Sequence, residues 1–362
     1  MLNIETIEKL AKIQGKNSVS LYLNTNRKRV SSLELKTKLK DMLKGIKLSK
    51  EDKYEIQDKT FDFFSRLSPN TKSVAIFASK SFWEAFIFPF EVDNFIEIDD
   101  FFNLEPLLLI LRENKNIGVL MVDSERARFL SIFLGELKEH RHLEDQIVHR
   151  QAKGGWSKER FARHEEDIIR THLKNSLDLL IKMYKIYQFD YLLLRINPEL
   201  KHEFMKLLPS ELQKKLKGEI KADMRESAQK IIEKALKLEK KETILEERDL
   251  IQELSDLLSY ESGRARAIAG LTPVLEALYD KKISVLFINE ELYVSGMYCK
   301  YCGRISLVED FCAYDQTPNQ RRQDLASVIV DEAIKQNAEV EVFKGDRRLK
   351  DMGNIAAILK EH

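Results

Sequence analysis

At 362 residues the chain exceeds what one hydrophobic core usually fills, so two or three domains are expected. Its 60 Lys and Arg against 59 Asp and Glu leave a net charge of +1, which names no partner; any affinity for nucleic acid must come from local patches. No apolar run approaches the ~18 residues of a membrane helix and no signal-peptide pattern opens the sequence, which points to a cytoplasmic protein without a membrane segment. The three cysteines, all within Cys299–Cys312, exclude a disulfide framework and raise the question of a metal.

Residues 1–115 read as an N-terminal α/β domain. "SVSLYLNTN" (Ser18–Asn26) alternates like a strand, and the following segment places Leu35, Leu39, Met42, Leu43 and Ile46 on one helical face. Ser49 is placed to cap a second helix, which Pro69 stops, and "SVAIFAS" and "FWEAFIF" are apolar strands. A second domain, 116–238, opens with the strands "IGVLMVD" and "ARFLSIFLG", and "ELKEHRH" continues their sheet. A helix of about thirty residues, Lys158 to Tyr187, carries the stripe Phe161, Ile168, Leu173, Leu177, Leu180 and Tyr184. "FDYLLLRI" is a buried strand ended by Pro198, two short helices follow, and "GEIKAD" is expected as a further strand. The charged helical stretch Lys237–Asp256 leads into a third α/β domain, 239–362, with a helix and strand in "GLTPVLEALYDKKISVLFI", a cysteine-bearing insert, a helix over Arg321–Gln336 and the strand "EVEVF".

The segment "QAKGGWSKERFARH" (Gln151–His164) concentrates unusual residues. Arg150, Lys153, Lys158, Arg160 and Arg163 face a single acid, Glu159, and His140, His142, His149, His164 and His172 lie around them. Basic side chains about a flexible loop suit a phosphate backbone, because neutralising phosphates releases counterions. Gly154 and Gly155 permit positive φ and close approach of a ligand, the helix start offers N–H donors to anions, and Trp156 can stack on an unpaired base. A hinge, with Trp156 filling a core gap and the charges solvating a helix start, accounts for the same residues. "TNRKR" (Thr25–Arg29) is a second basic loop, read either as an RNA contact or as a solvated turn.

Cys299, Cys302, Cys312 and Asp315 have the spacing C-x2-C-x9-C-x2-D. Cys299–Cys302 with Gly303 is a good half of a zinc knuckle, and Asp315 stands where a fourth cysteine would complete the other half. The competing reading is a decayed ribbon whose thiols pack as small apolar groups.

"KGGWSKERFARH" resembles the Gly-Gly-Gln loop of the archaeal and eukaryotic class-I peptide-chain release factors and their Pelota-like and bacterial relatives, with Lys153, Gly154, Gly155, Ser157, Arg160, Phe161 and Arg163 in place. "IGVLMVDSERARFLSIFLGEL" is similar to the strands opening that family's ribonuclease-H-like central domain. "GLTPVLEALYDKKISVLFI" and "GNIAAILK" are similar to its third domain, built on a kink-turn-binding ribosomal-protein fold. The resemblance covers about residues 117–362 and implies three α/β domains, action on the ribosome and tRNA, a translational GTPase partner, and a structural zinc ribbon at the cysteines. It further implies that Gly154, Gly155 and Trp156 form a loop promoting hydrolysis of peptidyl-tRNA, with Arg150, Lys153, Lys158, Arg160 and Arg163 on RNA. Two departures stand out: Trp156 replaces the family's glutamine, and residues 1–115 hold no counterpart of its stop-codon-reading motif. Rescue of stalled ribosomes is therefore expected ahead of stop-codon termination. Three readings follow: a hydrolase acting through the loop backbone, a non-hydrolytic Pelota-like binding factor, and a nuclease of the tRNA acceptor end using a histidine such as His149 or His164.

Overall fold

The computed structural model describes residues 2–13, 15, 17–69, 71–144, 156–259, 266–299, 301–322 and 324–360, and for 156–165 the backbone. The chain divides into two compact units, one of residues 1–112 with 248–362 and one of residues 113–247.

The first part of the chain runs α1 (Ile4–Ala11), β1 (Ser18–Asn24), α2 (Ser32–Lys44), α3 (Lys50–Ser65), β2 (Ser73–Ser79), β3 (Phe82–Phe88), β4 (Phe95–Asp99) and α4 (Glu105–Glu113). Its four strands form an antiparallel sheet in the order β3-β2-β1-β4. The helical stripe read from the sequence is the one buried: Leu35, Leu39 and Leu43 of α2 pack with Ile56 and Phe64 of α3 on Leu21, Leu23, Val74 and Ile76. Ser31 and Glu34 form a capping box at α2, and Ser49 accepts from the amide of Asp52 (3.0 Å) to start α3. Strand β4 is absent from the sequence reading because "FIEID" is an edge strand, mostly half-buried, with a carboxylate in its middle.

The middle of the chain comprises β5 (Ile117–Val122), β6 (Arg126–Phe133), β7 (Glu136–Glu144), α5 (Trp156–Tyr187), β8 (Tyr191–Ile196), α6 (Pro198–Leu207), α7 (Ser210–Lys215), β9 (Leu216–Glu219) and α8 (Ala228–Leu258). The sheet order is β7-β6-β5-β8-β9; the first three strands are antiparallel, and β5–β8 and β8–β9 are parallel. This is the ribonuclease-H-like arrangement expected. Strands β5 and β8 are apolar because both faces are covered. One face, with Leu120, Val122, Leu192 and Leu194, meets Leu173, Leu177 and Leu180 of α5; the other, with Val119, Met121 and Leu193, meets Ile231, Ile232 and Ala235 of α8. The strand expected over "GEIKAD" lies earlier: after Glu219, Ile220 still donates to Leu194 (2.8 Å), but Ala222 turns back onto Ile220 (3.1 Å) and ends the pairing.

The last part contains β10 (Ala267–Ala269), α9 (Leu271–Tyr279), β11 (Ile283–Asn289), β12 (Gly296–Tyr298), β13 (Ile305–Ser306), β14 (Gln320–Arg322), α10 (Ala326–Lys335), β15 (Glu339–Phe343), α11 (Arg347–Asp351) and β16 (Ile355–Leu359). One sheet runs β10-β16-β11-β15, and a small second sheet, β13-β12-β14, carries the cysteine insert. The helix expected from Arg321 starts at Ala326. Arg321 and Arg322 pair instead with Met297 and Gly296, and the Asp324 carboxylate accepts from the amide of Ala326 (2.9 Å) at the helix start. Within the same unit Arg322 forms an ion pair with Asp99 of β4 and stacks over Phe101 and Tyr298 (5.3 and 5.1 Å to the ring centroids). Arg112 likewise pairs with Glu341 and lies 3.9 Å from the Phe343 centroid.

Gly118 lies on doubly covered β5, where a Cβ would stand 2.8 Å from the ring of fully buried Phe189. Gly118→Ala is expected to lower unfolding stability by about 1–3 kcal/mol through overpacking, read as a reduced midpoint in urea with an unchanged slope.

Candidate functional site

The glycine pair lies on the segment between two elements of the central sheet and its helix. Edge strand β7 ends at Glu144 and helix α5 begins at Trp156; Arg150, Lys153, Gly154 and Gly155, together with His149, lie outside the described residues. Trp156, Lys158, Arg160, Arg163 and His164 are on the first turns of α5, where the backbone alone is described. Farther along, α5 is clamped to the sheet by its buried leucines, and its far end is tied to β7 by the Tyr187 hydroxyl, which donates to Glu139 (3.1 Å). β7 and α5, which flank the segment, therefore belong to one sheet-and-helix body. His172 is fully buried in α5 and its carbonyl accepts from Ser176 (2.8 Å), a structural placement.

Beside the loop's strand lies a polar cluster that the sequence reading grouped only in part. Arg128 of β6 is buried, donates to the carbonyls of Met224 and Glu226 (2.9 Å to the latter), and turns its remaining nitrogens to Nε2 of His140 on β7 (3.1 Å). His140 stacks against His142 at 4.3 Å between centroids. Burial, then His142 and Arg128, lower the pKa of His140, so its ring is held neutral with Nε2 as acceptor. Burial also lowers that of Arg128. Arg128 was passed over in the sequence; its signal was a lone charge in the apolar strand "ARFLSIF".

The basic loop at Thr25–Arg29 is largely committed to its own domain. Arg27 donates to the carbonyl of Phe64 (3.0 Å). Glu91 gathers Asn26 (2.7 Å), Asn24 (3.1 Å) and Arg29 (3.0 Å), which hold its carboxyl below the usual range.

Cys299, Cys302, Cys312 and Asp315 do converge: one ligand atom from each lies within 4.8 Å of all the others. The distances include 3.4 Å between the thiols of Cys302 and Cys312 and 3.5 Å from Cys299 Sγ to Asp315 Oδ2. Two turns of identical design bring them together. In the first, Gly303 donates to the Cys299 carbonyl (2.9 Å) and Cys299 donates to that of Arg304 (2.8 Å), with Gly303 at φ +74°. In the second, Gln316 donates to the Cys312 carbonyl (2.9 Å) and Cys312 to that of Thr317 (2.8 Å), with Gln316 at φ +57°. The signal was legible in the repeated blocks Cys-Lys-Tyr-Cys and Cys-Ala-Tyr-Asp. Bonds from the Thr317 hydroxyl (2.5 Å) and amide (3.0 Å) lower the Asp315 carboxyl to about 2, so it is an anion at neutral pH. Burial, then the neighbouring thiols of Cys312 and Cys299, push Cys302 up to about 12. Crowding three thiols against a carboxylate is unfavourable until a divalent cation stabilises the thiolates. A tetrahedral ion with ~2.3 Å bonds to sulfur needs donors about 3.8 Å apart, and the four atoms bracket that spacing. The donor set fits such a metal.

Residues 103–240 match the family described as bacterial archaeo-eukaryotic release factor family 10. No curated protein matches the chain. Among solved structures, the archaeal translation termination factor aRF1 is 18% identical over 99% of this chain and 96% of its own, with a TM-score of 0.26. Ribosome-bound archaeal Pelota, in a structure with ABCE1, is 11% identical over 100% of this chain and 95% of its own (TM-score 0.42). Dom34 of S. cerevisiae, a termination-like factor of RNA quality control that interacts with Hbs1, is 12% identical over 99% and 93% (TM-score 0.40). The segment matched by the family includes β7, the glycine pair and α5.

Because the folded pKa of His140 lies below its unfolded value, the unfolded state takes up the proton first as pH falls. Its contribution is complete above the ordinary histidine range, near pH ~6.5, and is lost as pH drops through the folded value. His140→Gln, which keeps an acceptor for Arg128, is expected to flatten the fall of the thermal midpoint between neutral and mildly acidic pH; an unaltered slope would exclude this role.

Proposed function

We propose that this chain, a member of the archaeo-eukaryotic release-factor superfamily through residues 103–240, is a ribosome-associated factor that hydrolyses peptidyl-tRNA on stalled ribosomes. The observation that carries the reading is that the family match spans the Gly154–Gly155–Trp156 segment and the elements mounting it. In this mechanism the ester carbonyl and the departing tRNA 3′ oxygen gain negative charge as water attacks, and a backbone N–H aimed at that charge stabilises it in the manner of an oxyanion hole. Position 156 keeps its N–H whatever its side chain, and Gly154 and Gly155 give the backbone freedom to aim it. The indole of Trp156 docks on the tRNA terminus or on ribosomal RNA. Arg150, Lys153, Lys158, Arg160 and Arg163 hold RNA phosphates, and Ser157 assists at the helix start.

The work is shared among an N-terminal part (1–115), the loop-bearing part (116–238) and a C-terminal part (239–362). A translational GTPase is the expected partner, in keeping with Dom34, which interacts with Hbs1. The cysteine–aspartate cluster holds zinc in a structural role, since all four donors belong to the protein and none is left for a substrate. No helix among the described residues is long and apolar enough to cross a membrane, in keeping with work in the cytoplasm. The replacement of glutamine by Trp156 favours a second reading, a Pelota-like factor that binds without hydrolysis.

Two experiments test these assignments. Peptide release from purified stalled ribosome–nascent-chain complexes should leave intact tRNA and fall by about 10²-fold in Gly155→Ala. Release that is unchanged in Gly155→Ala overturns the backbone mechanism. Release gained only in Trp156→Gln establishes the binding role, and shortened tRNA on the same gel establishes nuclease action. Metal analysis should find one zinc per chain, with Cys302→Ser and Cys312→Ser each losing most of it; metal-free, folded wild type would reject the site.

A further inference from the structure

The two metal-type turns share more than their hydrogen bonds. Each displays a tyrosine at its third position, Tyr301 in the first and Tyr314 in the second, and both rings face solvent, 67% and 73% exposed. The Arg304 guanidinium, which follows the first turn, lies 5.1 Å from the Tyr314 centroid and 5.3 Å from that of Tyr279 on α9. Tyr279 is itself fixed by accepting from the amide of Ile305 (2.6 Å). Tyr314 is thus backed by a cation braced from behind. Among the described residues, large exposed apolar side chains cluster over 293–314, where Tyr293 and Phe311 add two further rings, 70% and 58% exposed. Exposed Arg321, on the adjoining strand β14, adds positive charge to the same small sheet.

Flat rings at matched positions, with a guanidinium stacked on one and a second arginine on the same sheet, suit unpaired nucleobases on a phosphate chain. The aliphatic members of the cluster, Leu307 and Val308, sit next to Glu309 and Asp310, whose charge repels phosphate and leaves the tyrosine–arginine residues as the base-binding group. We propose that Tyr301 and Tyr314 form a two-ring stacking platform for unpaired bases of single-stranded RNA, with Arg304 bracing Tyr314 and exposed Arg321 supplying positive charge for its phosphates. The platform goes beyond the glycine loop's action and does not depend on it.

The test is fluorescence anisotropy of a labelled short single-stranded RNA with the full-length, zinc-loaded chain at fixed salt. Tyr301→Ala and Tyr314→Ala should each weaken binding about tenfold, and the pair more strongly, while the Phe variants keep wild-type affinity to within about twofold. Circular dichroism and zinc content serve as folding controls; should an Ala variant lose zinc, Leu at the same position supplies the non-aromatic comparison. Equal binding by the double variant, or equal binding of the wild type to duplex RNA, overturns the proposal. So does a photo-crosslink from position 314 on ribosomes that maps to a ribosomal protein and not to RNA. Peptide release by the same variants keeps the two readings apart: a failed platform with intact release leaves the loop assignment standing, and the converse holds.

Discussion

The middle of the molecule depends on strands β5 and β8 lying side by side, in parallel, with a helix over each face. Parallel neighbours cannot be joined by a tight turn, so the chain must travel out and back between them. That excursion is β6, β7, the glycine loop and α5. The requirement to cover one face of the sheet with α5 thus sets where the loop begins and ends, because α5 is pinned by Leu173, Leu177 and Leu180 from below. Gly118 shows how tight the fit is: the space a methyl group would need is filled by Phe189, which also meets Phe129 and Tyr184. The packing on both faces of β5 and β8 thus fixes the two elements, β7 and α5, between which the glycine segment lies.

Buried charge does different work elsewhere. Arg128 spends its guanidinium on two carbonyls of the 224–226 segment and on His140, so a cation under the sheet edge serves as a staple. In the other unit Arg322 and Arg112 each combine a carboxylate with aromatic faces, joining the first part of the chain to the last. Removing Asp99 would take the carboxylate from a largely desolvated guanidinium, a larger penalty than the pair's own net contribution. In the same unit, burial first, then Asp324, Glu290 and Glu97, push the Glu105 carboxyl up to about 7.

The cysteine insert builds the same backbone turn twice on different side chains. The second turn has the backbone hydrogen bonds of the first, with Asp315 at the place of Cys302 and Gln316 at the left-handed place of Gly303. Thr317 compensates in part, since its hydroxyl and amide orient Asp315 toward the thiols.

Elements whose burial is periodic are legible along the chain: the α2 stripe, the long α5 helix, the apolar β5, β6 and β8, and with them the spacing of Cys299, Cys302, Cys312 and Asp315, because these signals are local and repeat at fixed spacing. It left out β4, whose half-exposed edge position gives no clean alternation, and placed Arg321 and Arg322 on a helix, since a two-arginine edge strand has no apolar pattern to read. That Arg128 meets His140, that Asp99 meets Arg322, and that Tyr301 and Tyr314 occupy equivalent places comes from the fold. Each of these pairings joins residues on different elements or turns, where hydrogen bonding and burial across the fold, not spacing along the chain, fix the partner.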